Sequence, residues 1–256
     1  MENKFRTNAE NFTQARVGLG YSGGSISTKD VLKFRYDHAS ARDAVWKDCN
    51  WDLFANFFIP TIRLHSLAKD RSEYLLRPDL GRRLDNLSIQ NLQAFKKEKF
   101  QVSISLADGL SPWAVERNGF EFLELVYHKL KLYKLSPLFL VSQGRVALGD
   151  EISDILDSTL HIQIIGERPG LTSADSLGIY ITYSAKIGTT DERRNCISNV
   201  RPDGYSFKDA VEKLEYLVNS AFINKVTGVM LKDRMGAEIE EKEISNLLSN
   251  NFDDEK

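Results

Sequence analysis

Three short stretches concentrate glycine and charge: Ala107-Asp108-Gly109-Leu110-Ser111, Ser142-Gln143-Gly144-Arg145-Val146 and Gly166-Glu167-Arg168-Pro169-Gly170-Leu171. Each follows an apolar, β-branched run that reads as a strand. If the strands are parallel, the three loops share the sheet edge at the strands' carboxyl ends, where open α/β sheets bind ligands. Glycine there lets backbone approach a ligand closely. Asp108, Arg145 and Glu167 bring charge to the same edge. A fourth strand leads into a long loop carrying Arg193-Arg194-Asn195-Cys196-Ile197-Ser198-Asn199. The chemistry implied is binding, in a crevice whose ligand this pattern leaves open.

Familiar reactive sites fail one by one. There is no GxxxxGK[ST] phosphate loop and no GxGxxG fingerprint in the right context. Gly18-Leu19-Gly20-Tyr21-Ser22-Gly23 has similar spacing but no preceding strand, so a dinucleotide site is not expected there. No GxSxG nucleophile elbow is present. His38, His65, His128 and His161 are far apart, without metal-ligand spacing, and read as packing residues. His161 alternates with isoleucines, as a side chain on one sheet face would. No Asp-x-His-x-x-Gly cobalamin motif occurs. No catalytic residue and no metal ligand is assigned.

The elements that must position these loops follow from patterning. Thr28 is the expected N-cap of a helix to about Lys47, with Val31, Phe34, His38, Ala41 and Val45 on one face. Trp46 and Trp51 are expected in the core. Thr61 to His65 reads as a short strand. Asp79 is placed to cap a helix after Arg77-Pro78, and Ser88 to cap a segment reaching about Lys97. From Phe100 strands and helices alternate. The strands are Phe100–Ala107, Pro137–Ser142, Leu160–Gly166 and Leu177–Ser184; the helices start at Ser111-Pro112, Ala147 and Ser206. The expected fold class is α/β: a Rossmann-like, mostly parallel sheet domain over 99–232, preceded by a small, mainly helical domain over 1–98 and followed by an acidic tail over 233–256.

Composition narrows the classes. With 42% hydrophobic residues over 256, the chain can bury a sizeable core. Lys plus Arg is 34 against 36 Asp plus Glu, a net charge of −2 that argues against nucleic-acid binding. Cys49 and Cys196 are too few for a disulfide framework and point to a reducing compartment. Apolar runs fall short of the roughly 18–20 residues a membrane-spanning helix needs. The expectation is a cytoplasmic protein with no membrane partner.

Together the motifs resemble the small subunit of ethanolamine ammonia-lyase, over about Gln14 to Leu231. The resemblance is carried, in order, by Arg77-Pro78-Asp79-Leu80-Gly81-Arg82-Arg83-Leu84, the Asp108 loop, Gln143-Gly144-Arg145-Val146, Gly166-Glu167-Arg168-Pro169-Gly170-Leu171 and Asn195-Cys196-Ile197-Ser198-Asn199. It implies an adenosylcobalamin-dependent lyase converting ethanolamine to acetaldehyde and ammonia. The large subunit would hold the substrate, and the corrinoid would lie between the chains. The cobalt would keep its own dimethylbenzimidazole, so no protein histidine is required. Family cofactor contacts carry over to Val146, Glu167 and Cys196; Arg145 and Asp108 join them from loop position. Arg77, Arg82 and Arg83 are assigned to an interface. Some relatives reach a bacterial microcompartment through a long amphipathic N-terminal extension, whereas only Met1 to Thr13 precede the resemblance here, so encapsulation would rely on a partner. The alternatives are a self-sufficient Rossmann-like enzyme using a nucleotide-type cofactor, which the missing fingerprint opposes, and a purely structural subunit.

Overall fold

A computed structural model describes residues 21–22 and 24–235. The chain order is β1 (Tyr21–Ser22), β2 (Ser25–Ile26), α1 (Thr28–Trp46), β3 (Thr61–His65), α2 (Arg71–Leu76), α3 (Asn86–Gln93), β4 (Val102–Ala107), α4 (Pro112–Lys129), β5 (Leu135–Ser142), α5 (Leu148–Leu156), β6 (Leu160–Gly166), β7 (Leu177–Tyr183), β8 (Asn195–Val200) and α6 (Phe207–Asn224), with 3₁₀ turns between. The glycine-rich stretch at 18–23 falls largely outside the described residues, as does the acidic tail beyond 235.

One six-stranded sheet organises the molecule, in the order β3-β5-β4-β6-β7-β8. The first four strands are mutually parallel; β7 pairs antiparallel with β6, and β8 antiparallel with β7. The mostly parallel α/β sheet expected from the alternating pattern is therefore present. β3 lies ahead of residue 99 and pairs in register with β5, from Thr61↔Leu138 to His65↔Ser142.

The central strands read as continuous apolar runs because helices cover both faces. On one face α4 and α6 pack Phe122, Leu123, Leu214 and Val218 against Ile104, Ile162 and Ile179. On the other, α3 and α5 pack Leu92, Leu148 and Ile152 against Phe139 and Val141. Each fully buried Leu or Ile contributes about 1.5–3 kcal/mol, so this burial holds the layers together. The chain leaves β4 toward α4 and leaves β5 toward α5, on opposite faces. The connection from β4 runs to β5 on one side and the connection from β5 runs to β6 on the other, so the direction of winding reverses at β4, the kind of position where open α/β sheets bind ligands at the carboxyl edge.

Ser111 accepts from the Ala114 amide at 3.2 Å and Pro112 occupies the first turn, as the sequence implies. Ser206 caps α6 in the same way, accepting from the Asp209 amide. Other boundaries are corrected. Ser27, not Thr28, caps α1, accepting from the Asp30 amide at 3.2 Å. Asp85 caps α3, and Ser88 instead donates its amide to Asp85 and accepts from the His65 amide at 2.8 Å. Asp79 makes no cap hydrogen bond, because Arg77 takes both its oxygens at 2.9 and 2.6 Å.

α1 is not the core helix its spacing implied. Only Ala44 is buried, while Leu32, Phe34, Tyr36 and Trp46 face solvent. Trp46 is 55% exposed, contrary to expectation, whereas Trp51 is buried and donates to Ser142 Oγ at 2.8 Å.

Candidate functional site

The β4 and β6 loops meet at the carboxyl edge. Leu110 donates to the Gly166 carbonyl at 2.9 Å. Gly109 has a φ of +56°, and a Cβ there would sit 2.2 Å from that same carbonyl oxygen. Glycine is therefore required by both conformation and space.

Asp108 organises this edge from inside. It is buried, and its carboxylate accepts from the Gln143 amide at 3.0 Å and the Gly144 amide at 3.3 Å. Those bonds hold the left-handed turn at Gln143, whose φ is 57°. Burial pushes the Asp108 carboxyl up to about 6, against the pull of Arg71, 3.8 Å away, and of the backbone amides. Arg71 donates in turn to the Val45 and Gly109 carbonyls at 2.6 and 2.8 Å. Asp108 opens toward a cleft it shares with Cys49, His65 and Gln143, apart from the clefts of Val146.

Arg145 and Val146 face two clefts. The larger, ≈ 750 Å³, is lined by them with Arg83, Glu151, Tyr180, Thr189 and Arg194, among others. The smaller, ≈ 390 Å³, is lined by Arg145, Val146 and Tyr180 again, with Tyr74, Glu167 and Arg168. Both lie beside the face of the sheet that α5 covers.

The walls of the larger cleft are tied to the first turn of α5. Glu151 accepts from Arg83 Nε and Nη2 at 3.1 and 3.0 Å and from the Leu84 amide at 2.7 Å. The neighbouring Asp150 takes both Arg194 Nη atoms at 2.5 and 2.7 Å, and Arg194 also donates to the Thr189 carbonyl. Burial raises the Asp150 carboxyl, opposed by its bonds to Arg194. Two adjacent acids at a helix N-terminus, where negative charge is favoured, thus fasten the loops on either side.

Glu167, Tyr180 and Cys196 come together across three strands. The long loop expected over Arg193 to Asn199 is instead largely β8, with Tyr180 opposite Cys196 and Leu177 opposite Val200. Its polar sequence obscured a strand that has a largely exposed face at the sheet edge. Glu167, half-buried at the end of β6, accepts from the Asn199 amide at 3.1 Å. Cys196 is exposed, with Sγ 3.3 Å from Ser198 Oγ. Loss of water from its neighbourhood raises the thiol, opposed by hydrogen bonds with Ser198 and Tyr180, and the Glu167 charge adds to the rise. The sulfur is thus a thiol rather than a nucleophilic thiolate.

Of the five residues singled out by sequence, Arg145, Val146 and Glu167 line the smaller cleft, Cys196 adjoins it through Tyr180, and Asp108 stands apart. Tyr74 and Tyr180 were missed. Tyr180 had one local signal: Gly178, Tyr180 and Thr182 alternate with Ile179 and Ile181, marking a polar face. Of the interface arginines, Arg83 binds Glu151 and Arg77 binds Asp79 within the chain, and Arg82 opens on the larger cleft. Among the described residues, no three His, Cys, Asp or Glu are grouped to hold a metal ion, and no helix is long and apolar enough to cross a membrane.

Comparison with known proteins adds a family. The family model described as "Ethanolamine ammonia-lyase light chain (EutC)" matches residues 3–232. The chain is 44% identical over 230 residues to the ethanolamine ammonia-lyase small subunit of Pseudomonas aeruginosa strain LESB58, covering 86% of this chain and 84% of that protein. It is 42% identical over 249 residues to the protein of that name from Pseudomonas fluorescens strain Pf0-1, covering 94% and 91%. Against that of Pseudomonas putida strain W619 it is 41% identical over 255 residues, covering 96% and 91%.

Proposed function

The chain belongs to the ethanolamine ammonia-lyase light-chain family, and from that premise we propose that it is the cofactor-covering small subunit of an adenosylcobalamin-dependent lyase. The complex converts ethanolamine to acetaldehyde and ammonia. A large subunit holds the substrate, and this chain supplies one wall of the corrinoid site and no catalytic residue. When bound, the cofactor supplies radical chemistry through homolysis of its cobalt–carbon bond.

The observation that carries this reading is the convergence of the family motifs. Val146 and Glu167 line one cleft, and Cys196 sits against its Tyr180 wall. The donor set fits a large, mostly apolar macrocycle fringed with primary amides. Val146 and the Tyr180 ring offer apolar surface, and the Glu167 carboxylate accepts amide N–H bonds. Among the described residues Arg145 Nε is buried without a partner. We assign Val146, Glu167, Cys196 and Arg145 to the cofactor, and Asp108 to the turn beneath them.

A partner chain is also supported by α1. Tyr36 is 74% exposed and Leu32 58%, and Trp46 at the far end of the helix is exposed too; exposed apolar surface of this kind marks interaction sites.

The test is reconstitution. This chain, the large subunit and their co-purified complex are each given adenosylcobalamin and ethanolamine, and acetaldehyde is assayed. Sustained turnover by the complex alone is expected; turnover by this chain alone would overturn the subunit role.

A further inference from the structure

We propose that Arg145 anchors the one anionic group of the cofactor assigned above, its phosphodiester, so that this chain reads the nucleotide loop as well as the ring; the inference rests on that cofactor reading. Arg145 is held in an unusual way. Its amide donates to the Gly81 carbonyl at 2.7 Å. Its stem lies so close to Gly81 that a Cβ there would come within 2.8 Å of Arg145 Cγ. Its guanidinium carbon stands 4.2 Å from the centre of the Tyr74 ring, and Arg71 stands over the same ring at 4.9 Å. Tyr74 is buried and fixed by its hydroxyl, which donates to the Gly144 carbonyl at 2.9 Å. The guanidinium is therefore positioned by stacking and backbone.

What it lacks is a counter-charge. Arg83 and Arg194, on the same cleft, are bound by Glu151 and Asp150. Of the other acids lining that cleft, Asp191 pairs with Arg194, and Glu192 is exposed and hydrogen-bonded to Thr190. Among the described residues Arg145 has no carboxylate partner; its Nη2 donates only to the Tyr74 carbonyl, at 3.3 Å, and its Nε has no acceptor. Glu167, the acid that lines the smaller cleft with Arg145, is engaged by the Asn199 amide at 3.1 Å; a pre-positioned guanidinium without a carboxylate partner between two clefts suits an anion that accepts in a plane, as phosphate does. The cofactor's amides are neutral and can be met by carboxylate, hydroxyl or backbone. Its phosphodiester is the group that calls for a cation.

The experiment measures binding of three corrinoids to the co-purified complex: adenosylcobalamin, adenosylcobinamide phosphate and adenosylcobinamide, the last lacking phosphate. Arg145→Gln should weaken adenosylcobalamin and adenosylcobinamide phosphate by about ten- to hundredfold, the scale of a charge-assisted hydrogen bond. Adenosylcobinamide should move by less than about threefold. Lys131→Gln removes equal charge from an exposed turn ahead of β5, away from both clefts, and should move all three by less than about threefold. Arg145→Lys guards against misfolding: it keeps the charge and loses the fork, and should weaken only the phosphate-bearing ligands, by less than Gln does. Equal loss for all three ligands, or no loss, would overturn the assignment. If the wild-type complex binds none of the three, the cofactor reading falls and the assignment with it.

Discussion

Glu167 and Asn199 close the end of the sheet: the Asn199 amide donates to Glu167 Oε2 at 3.1 Å, joining the first residue beyond β6 to the end of β8 across β7. Asn199 is in the left-handed region, with a φ of 57°, so the bond restrains a costly backbone. The carboxylate thus has two duties in the proposed complex, one to β8 and one to the corrin amides.

Glu167→Ala should therefore raise the apparent adenosylcobalamin constant of the assembled complex by about ten- to hundredfold, the loss expected for a hydrogen bond to a charged group. The ethanolamine constant should move less than about threefold, because the substrate is assigned to the other chain. Glu167→Gln keeps an acceptor for Asn199 and should fall between. A shift in the ethanolamine constant without one for cobalamin would put Glu167 on the wrong side of the site.

Cys196→Ser should leave turnover at saturating cofactor within a few-fold of wild type. The thiol is raised rather than lowered, and its proposed role is packing against the corrin edge. Near-complete loss of turnover in a folded, cofactor-loaded variant would show that the chemistry needs the sulfur.

Asp150→Asn should destabilise the chain by about 3–5 kcal/mol, since it leaves the buried Arg194 guanidinium without its bidentate partner. Asp191, the other carboxylate paired with Arg194, has a side chain that is 97% exposed, so Asp191→Asn should cost under about 1 kcal/mol. Urea midpoints on the two variants make the comparison. Equal effects would mean that the α5 tie does not hold the cleft wall.

His161→Gln should flatten the acid side of the stability curve. His161 is buried between β4 and β6, with Ser103 Oγ 2.7 Å from Nδ1 and Ser105 Oγ 2.8 Å from Nε2. Burial holds it down to about 3, against an ordinary 6.5. Between those values the unfolded chain binds the extra proton, so stability falls as pH drops from about 6.5 toward 3, by up to about 1.4 kcal/mol per unit. Asp108, raised to about 6, acts oppositely between about pH 6 and 4 and is present in both proteins. The difference between wild-type and variant curves, from denaturation at several pH values, therefore isolates the histidine. Parallel curves would contradict its buried neutral state.

The fold was legible where burial is uniform and local chemistry decides. Ile104, Ile162 and Ile179 announce central strands, and Ser111-Pro112 and Ser206 announce helix starts. β8 was hidden because the alternation of an edge strand dissolves into polar residues when much of its surface faces water. α1 showed helical spacing without burial, since the spacing cannot say that Leu32, Tyr36 and Trp46 stay largely exposed among the described residues. The three glycine loops located the edge, but not which of their charges faces the clefts. Asp108 points inward to cap the Gln143 turn, and the Tyr74–Arg145 stack joins residues 71 positions apart. Neither relation has a local signature.

The most direct measurement is the visible spectrum of the co-purified two-chain complex during titration with adenosylcobalamin, beside the same complex carrying Val146→Asp. Saturable uptake of the corrinoid by the wild-type complex is expected. In the variant, a buried charge against the ring should weaken uptake at least tenfold with assembly intact. Uptake that is absent, or that ignores a carboxylate placed at Val146, would contradict a corrinoid site walled by this chain.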